Sequence, residues 1–260
     1  MLKKEFEKFA DSAIFEGMTS ISAIIRSIEA DKSDRQIIKV LFDKDKLRSK
    51  RPEYGFLRAK AADLGYEIEL SDSESISSLA IGNSHGGIIA ICSERTIPAL
   101  VPSYIKPHGV YYMLEGVEDP YNFGYAVRSI YAAGADGIIV GERNWMGAAG
   151  VVARASAGAS ELIDMFSVKD CSEALDIFKK IGYTVVCAGI RDSVDLFDTE
   201  LTIPLFVIIG GEKRGISRAV LERADSVVRI GYGTDFNGSL STAASAAVFA
   251  FEIKRKSRNL

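Results

Sequence analysis

The sequence predicts an α/β fold in two units, with a parallel sheet in the second, and three observations carry that reading. Short β-rich runs alternate with helix-period runs through most of the 260 residues. The run "LFVIIGG" (205–211) is continuously apolar and bounded by glycines, as a strand buried on both faces should be. A proline-rich stretch, "SERTIPALVPSYIKPHG" (93–109), holds three of the six prolines and separates two such alternations. It sets a linker between a domain over 1–100 and another over 106–260.

In the first domain, "SISAIIRSIEA" has helical apolar spacing, "QIIKVLF" is a strand, and "GFLRAKAADLGY" is a helix stopped by Gly65. "EIELS" follows as a strand, "SISSLAIGN" as a short helix and "GGIIAIC" as a strand. The second domain opens on strand "VYYMLEG", a loop, and a helix ending near "DGIIV", itself a strand. A loop around "GERNWMG", a helix through "VVARASAGA", strand "ELIDMFSV", helix "CSEALDIFKKIG" and strand "YTVVCAGI" come next. After "LFVIIGG" the pattern closes with helix "GISRAVLERAD", strand "SVVRIG" and a helix from about Ser241 to Arg258.

Composition narrows the class. With 47% apolar and 26% charged residues the chain can bury a core, and a net charge of −3 argues against nucleic-acid binding by bulk charge, though not by a local basic face. Cys92, Cys171 and Cys187 have no metal-ligand spacing, so buried reduced thiols and no metal are expected. The start "MLKKEFEKFADSAIFEGM" has no apolar segment of a signal peptide, and no run approaches a membrane span. A soluble, cytoplasmic protein is expected.

Ligands in open parallel sheets sit beyond the carboxyl ends of strands, so the loops there are the places to look. The first reads "EGVEDPYNFGYAVRS"; its Gly116 and Gly124 are too far apart for a dinucleotide fingerprint and no P-loop lysine follows. Taken alone, Asp119 or Asn122 as a helix cap and Arg128 as a solvated charge explain it equally well. The second, "GEKRGIS", puts Glu212 directly after a buried strand, where an acid could simply cap the next helix. The third, "GYGTDFNGSLSTAAS", could be a connector with Ser239 or Ser241 as N-cap.

Together the loops resemble something specific. "NFGYAVR" (122–128), "GEKRGIS" (211–217) and "SLSTAASAA" (239–247) look like the three signature motifs of the SpoU/TrmH family of RNA ribose 2′-O-methyltransferases in the SPOUT superfamily. "RASAGASEL" (154–162) is similar to the family's stretch between the first two, and the resemblance covers 106–260. The N-terminal part, closing on "GNSHGGIIAI", is similar to the ribosomal-protein-like substrate domain that many members carry. The resemblance implies a deep trefoil knot in the C-terminal domain, S-adenosylmethionine in the knot's loops, and a site formed across a homodimer. By motif position it implies cofactor contacts at Gly210, Gly211, Ile230, Leu240 and Ser241, and a methyl-transfer site lined by Arg128, Asn122, Glu212 and Ser239. Two departures stand out: Ser241 replaces the family's usual asparagine, with Asn237 a candidate to compensate, and the loop from Ile230 to Leu240 is one residue longer than usual.

Methyl transfer to a ribose hydroxyl needs alignment, loss of a proton and exclusion of water. Positioning can supply roughly 7–11 kcal/mol. Arg128 suits a phosphate clamp. As a base it would need on the order of 7–9 kcal/mol of differential stabilisation to titrate near neutrality, so orienting and charge-stabilising is the cheaper role. Asn122 and Glu212 would then hold Arg128 and its loop.

For RNA, transfer or ribosomal, the stretch 43–60 is net basic, with Arg48, Lys50 and Arg51 beside Tyr54 and Phe56; it is either a phosphate-contacting surface or a solvated helix face. His85, in the "NSHGG" turn, either touches RNA or stabilises the turn. The remaining alternatives are a catalytically weak or inactive RNA-binding relative of the same fold, a base methyltransferase of the superfamily, and an unrelated nucleotide-binding α/β protein.

Overall fold

The computed structural model describes residues 14–82, 84–141, 148–213 and 215–257. Most of the loop around "GERNWMG", Arg214 of the second motif, Asn83 of the "NSHGG" turn and the end of the last helix at Arg258 lie outside the described residues. Two compact units divide the chain: Met1–Thr96 with Trp145–Leu162, and Ile97–Asn144 with Ile163–Leu260.

The first unit runs β1 (Ile14–Glu16), α1 (Gly17–Glu29), β2 (Ile37–Asp43), α2 (Arg51–Leu64), β3 (Glu67–Ser71), α3 (Ser73–Leu79) and β4 (Ile88–Cys92). Its sheet has the order β1-β4-β2-β3, with β2 parallel to β3 and the other pairs antiparallel. Alternation along the strands feeds two cores. Phe15, Val40, Phe42, Ile88 and Ala90 meet Ile21, Ile24 and Ile25 of α1 and Leu57 of α2 on one face. Ile14, Leu41, Ile89 and Ile91 meet Ile76 of α3 on the other. Helix α2 begins with Pro52 in its first turn and ends at Gly65, whose φ of 77° is the left-handed cap that glycine adopts without penalty.

The segment 148–162, read from sequence as part of the C-terminal domain, packs in this first unit. Buried charge explains why. Arg35, 3% exposed, donates from Nε to Glu161 Oε2 at 3.1 Å and from Nη1 to the Ser93 carbonyl at 2.6 Å. Arg95 lies 3.7 Å from the same carboxylate and donates to the Ser160 carbonyl. Glu16, also buried, accepts from Arg154 at 2.8 Å and from the Ile81 and Gly82 amides. A buried carboxylate must be met by donors, and both of these are.

The second unit holds β5 (Val110–Glu115), α4 (Pro120–Ala133) and β6 (Gly137–Gly141). After α5 (Ala149–Ala155) and α6 (Ala159–Leu162) in the first unit, it resumes with β7 (Asp164–Val168), α7 (Cys171–Lys180), β8 (Thr184–Ala188), β9 (Val194–Asp195) and β10 (Leu205–Gly210). It closes with α8 (Arg218–Leu221), β11 (Ser226–Arg229) and α9 (Thr242–Ser257). The seven strands run β7-β6-β5-β10-β8-β11-β9, every neighbouring pair parallel. β10 is central, and Leu205 through Ile209 are at most 2% exposed, as its unbroken apolar run predicts.

Some elements differ from the sequence reading. The short strands β1 and β9 carry too few residues to show a period. The helix read through "VVARASAGA" breaks into α5 and α6 at Ala157 and Gly158, both with positive φ. The helix read over "GISRAVLERAD" is four residues long.

Candidate functional site

Strands β5 and β10 lie side by side in parallel register, with Gly210 opposite Glu115, so the loops that leave them open together. Asp119 caps α4: its Oδ1 accepts from the Tyr121 amide at 2.7 Å and the Asn122 amide at 3.0 Å, with Pro120 filling the first helical position. Because Asp119 does the capping, the Asn122 side chain is released, and its Nδ2 donates to Glu212 Oε1 at 3.2 Å. The first and second motifs, ninety residues apart, meet in that bond.

The approach is close because glycines permit it. A Cβ at Gly211 would sit 2.3 Å from the Gly116 carbonyl oxygen, and Gly116 itself has a φ of 66°. The Gly211 amide donates to the Glu115 carbonyl at 2.7 Å, and the Gly215 amide closes the turn on the Gly211 carbonyl at 3.0 Å. Lys213 pairs with Glu118 at 2.7 Å, while Thr242, 4% exposed at the start of α9, donates to the Gly210 carbonyl at 3.2 Å. These groups surround a cavity of about 510 Å³ lined by Gly116, Glu118, Asp119, Asn122, Glu212, Lys213 and Thr242 among others.

The other candidate residues do not line this cleft. Gly210 ends β10, and its carbonyl accepts from Thr242, which lines the cleft. Ile230 and Leu240 are half-buried, and the Leu240 amide donates to the Tyr232 hydroxyl at 3.2 Å. Ser241 caps α9, accepting from the Ala244 amide at 3.2 Å. Asn237 and Ser239 are exposed. Arg128 is exposed on α4, forms no hydrogen bond or ion pair among the described residues, and does not line the cleft. The cleft lining joins Asn122 and Glu212 but not Gly210, Arg128 or Ser239.

Sequence reasoning missed Lys213 and Thr242. Lys213 sits within the second motif and could have been found there. Thr242 had no signal, since its role depends on where α9 begins in space. Beneath the cleft, burial and then the Asp170 charge push the Glu115 carboxyl above the ordinary glutamate value. All three cysteines are free and buried, and burial raises the Cys92 thiol to about 12. Among the described residues no group of three or more His, Cys, Asp or Glu could hold a metal ion, and no helix is long and apolar enough to cross a membrane.

In the first unit, Arg48 and Arg51 are exposed and Lys50 is half-buried; among the described residues none of them has an ion-pair partner. Lys50 reaches the 85–87 turn: a Cβ on Gly86 would lie 2.8 Å from its ammonium nitrogen. In that turn His85 Nδ1 accepts from the Gly87 amide at 3.1 Å.

Residues 109–251 match the SpoU rRNA Methylase family. A TrmH family relative of Staphylococcus haemolyticus is 33% identical over 144 residues, which are 55% of this chain and 57% of that protein, so the chain spans little more than half the relative's length. The 23S rRNA (guanosine-2′-O-)-methyltransferase RlmB of Shewanella oneidensis is 27% identical over 206 residues, 77% of this chain and 82% of that one. The fold is that of the SpoU methyltransferase AviRb of Streptomyces viridochromogenes, solved with AdoMet: TM-score 0.76 over 94% of this chain and 90% of that one, at 21% identity.

Proposed function

The chain belongs to the SpoU rRNA methylase family, and from that premise we propose that it is an RNA methyltransferase using S-adenosylmethionine to methylate a ribose 2′-hydroxyl. The observation that carries this reading is the Asn122–Glu212 bond at the mouths of two adjacent parallel strands, beside a cleft. Parallel sheets offer ligands their strand carboxyl ends, and two motifs far apart in the chain converge there.

The residues present fit the cofactor. Past the ends of β8 and β11, the half-buried Ile230 and Leu240 and the exposed Ile190 offer apolar contact, with backbone polar groups beside them, which suits an adenosine joined to a thioether. When bound, S-adenosylmethionine supplies an electrophilic methyl group. Gly210, Gly211, Ile230, Leu240 and Ser241 are the residues that would hold it. Asn122 and Glu212 fix the two loops against each other, and the Arg128 guanidinium holds an RNA phosphate and so orients the ribose hydroxyl. Ser239 contributes a hydroxyl from the third loop.

Three further features belong to this reading. The C-terminal segment forms a trefoil knot, supported by the placement of β10 between β5 and β8 and by α9 packing on α4. The protein is a cytoplasmic homodimer, supported by the exposed Tyr125, Tyr131 and Phe251 on those two helices; light scattering that reports a monomer would refute the dimer. The first unit is a ribosomal-protein-like RNA-binding domain whose basic turn at Arg48, Lys50 and Arg51 meets phosphates, while His85 braces the neighbouring turn.

The test is transfer of labelled methyl groups to ribosomal and transfer RNA, with nuclease digestion of the product. Label in a 2′-O-methylnucleoside supports the proposal. Label on a base makes the protein a base methyltransferase instead. Cofactor binding with no transfer to either RNA makes it a non-catalytic relative, the reading favoured by Ser241, whose hydroxyl is committed to capping α9.

A further inference from the structure

Thr242 lies just past the serine that replaces the family's usual asparagine, and its hydroxyl is spent inside the protein. The peptide unit joining Gly210 to Gly211 is held at both ends: its carbonyl accepts from Thr242 Oγ1 at 3.2 Å, and its N–H donates to the Glu115 carbonyl at 2.7 Å. Rotation of that unit would break both bonds, and in a buried setting each lost partner is costly. The chain on either side has little room to compensate. A Cβ at Gly210 would lie 2.8 Å from the Gly215 backbone, and one at Gly211 would lie 2.3 Å from the Gly116 oxygen. One residue downstream, the same turn presents Glu212 to Asn122.

We propose that Thr242 is a positioning residue that couples the first turn of the C-terminal helix to the Asn122–Glu212 pair by fixing the Gly210–Gly211 peptide plane. The proposal rests on the methyltransferase reading for its consequence in catalysis, though not for its geometry. Thr242 is the point at which the third motif acts on the first two. Asn237, exposed and not among the residues lining the cleft, shows no hydrogen bond among the described residues that fills that role. Since the hydroxyl touches protein rather than substrate, its loss should weaken alignment more than binding.

The test compares wild type, Thr242→Val and Thr242→Ser in the full chain. Valine keeps the branched shape and removes the donor; serine keeps the donor. Two readouts are taken: amide hydrogen exchange at Gly211 without ligand, and single-turnover methyl transfer beside calorimetric binding of S-adenosylhomocysteine. Thr242→Val should speed Gly211 exchange and lower the transfer rate about tenfold, the loss expected for one net hydrogen bond, with analogue affinity within about threefold of wild type. Thr242→Ser should restore exchange protection and most of the rate. Unchanged exchange in Thr242→Val, or losses that serine does not recover, would overturn the proposal. If wild type transfers no methyl, the functional reading fails, and the exchange comparison still decides the positioning role.

Discussion

At the scale of single residues, the site divides by what each side chain has already been given to do. Asp119 caps α4, Ser241 caps α9, and Asn122 is committed to Glu212, so Arg128 stands out as an exposed cation without a partner among the described residues. If it grips an RNA phosphate, Arg128→Ala should lower kcat/KM for methyl transfer by about 10²–10³, since positioning is the main contribution available to it. Arg128→Lys should recover only part, because an ammonium lacks the guanidinium's two-pronged geometry. Steady-state kinetics on the identified RNA decide this, and an alanine variant as fast as wild type removes Arg128 from the site. The sequence brought Asn122 and Glu212 forward because motif spacing is a linear property; Arg128, read from the same motif as Asn122, lies outside the cleft lining. Thr242 was not legible: the carbonyl it meets is 32 residues away in sequence.

At the scale of elements, the carboxyl end of β5 carries a conflict. The Glu115 side chain is half-buried and faces the charge of Asp170, and both effects favour its protonated form. Its folded value lies above the unfolded one, so the folded state binds its proton more tightly. Stability therefore falls as pH rises from the ordinary value of 4.5 through the raised value. Glu115→Gln removes the charge but keeps the backbone carbonyl that Gly211 needs. It should raise the melting temperature at pH 7, with the gain fading below about pH 4.5; melting curves at both pH values check this. A gain that persists unchanged at low pH would show that the charge is not the cause. The main strands and long helices followed their sequence periods. The break between α5 and α6 did not, because Ala157 takes a positive φ that its residue type gives no reason to expect.

At the scale of the whole molecule, the division into units does not follow chain order. A single buried carboxylate, Glu161, answers two arginines that lie more than 60 residues away in sequence. Glu161→Gln should destabilise the first unit by roughly 3–5 kcal/mol, since it leaves buried guanidinium charge uncompensated. Chemical denaturation of the full chain would show an earlier transition, and an unmoved curve would mean that the pairs are replaceable. The basic turn makes the other prediction at this scale. Replacing Arg48, Lys50 and Arg51 together with alanine should weaken RNA binding and reduce the slope of log affinity against log salt by about 2, as loss of three phosphate contacts requires. An unaltered slope in filter binding across 50–200 mM salt would place RNA elsewhere.

By itself, the sequence determined the parallel α/β character of the second unit, the burial of β10 and the loops worth inspecting. Each of these is written in local period, composition or motif spacing, which survive without three-dimensional context. Only the tertiary structure decided that 148–162 packs with the first unit, that Asp119 rather than Asn122 caps α4, and that a threonine at the start of the last helix meets the Gly210 carbonyl. Those outcomes depend on which donors and acceptors are brought within about 3 Å by the crossing of distant elements, and a linear pattern holds no record of that distance.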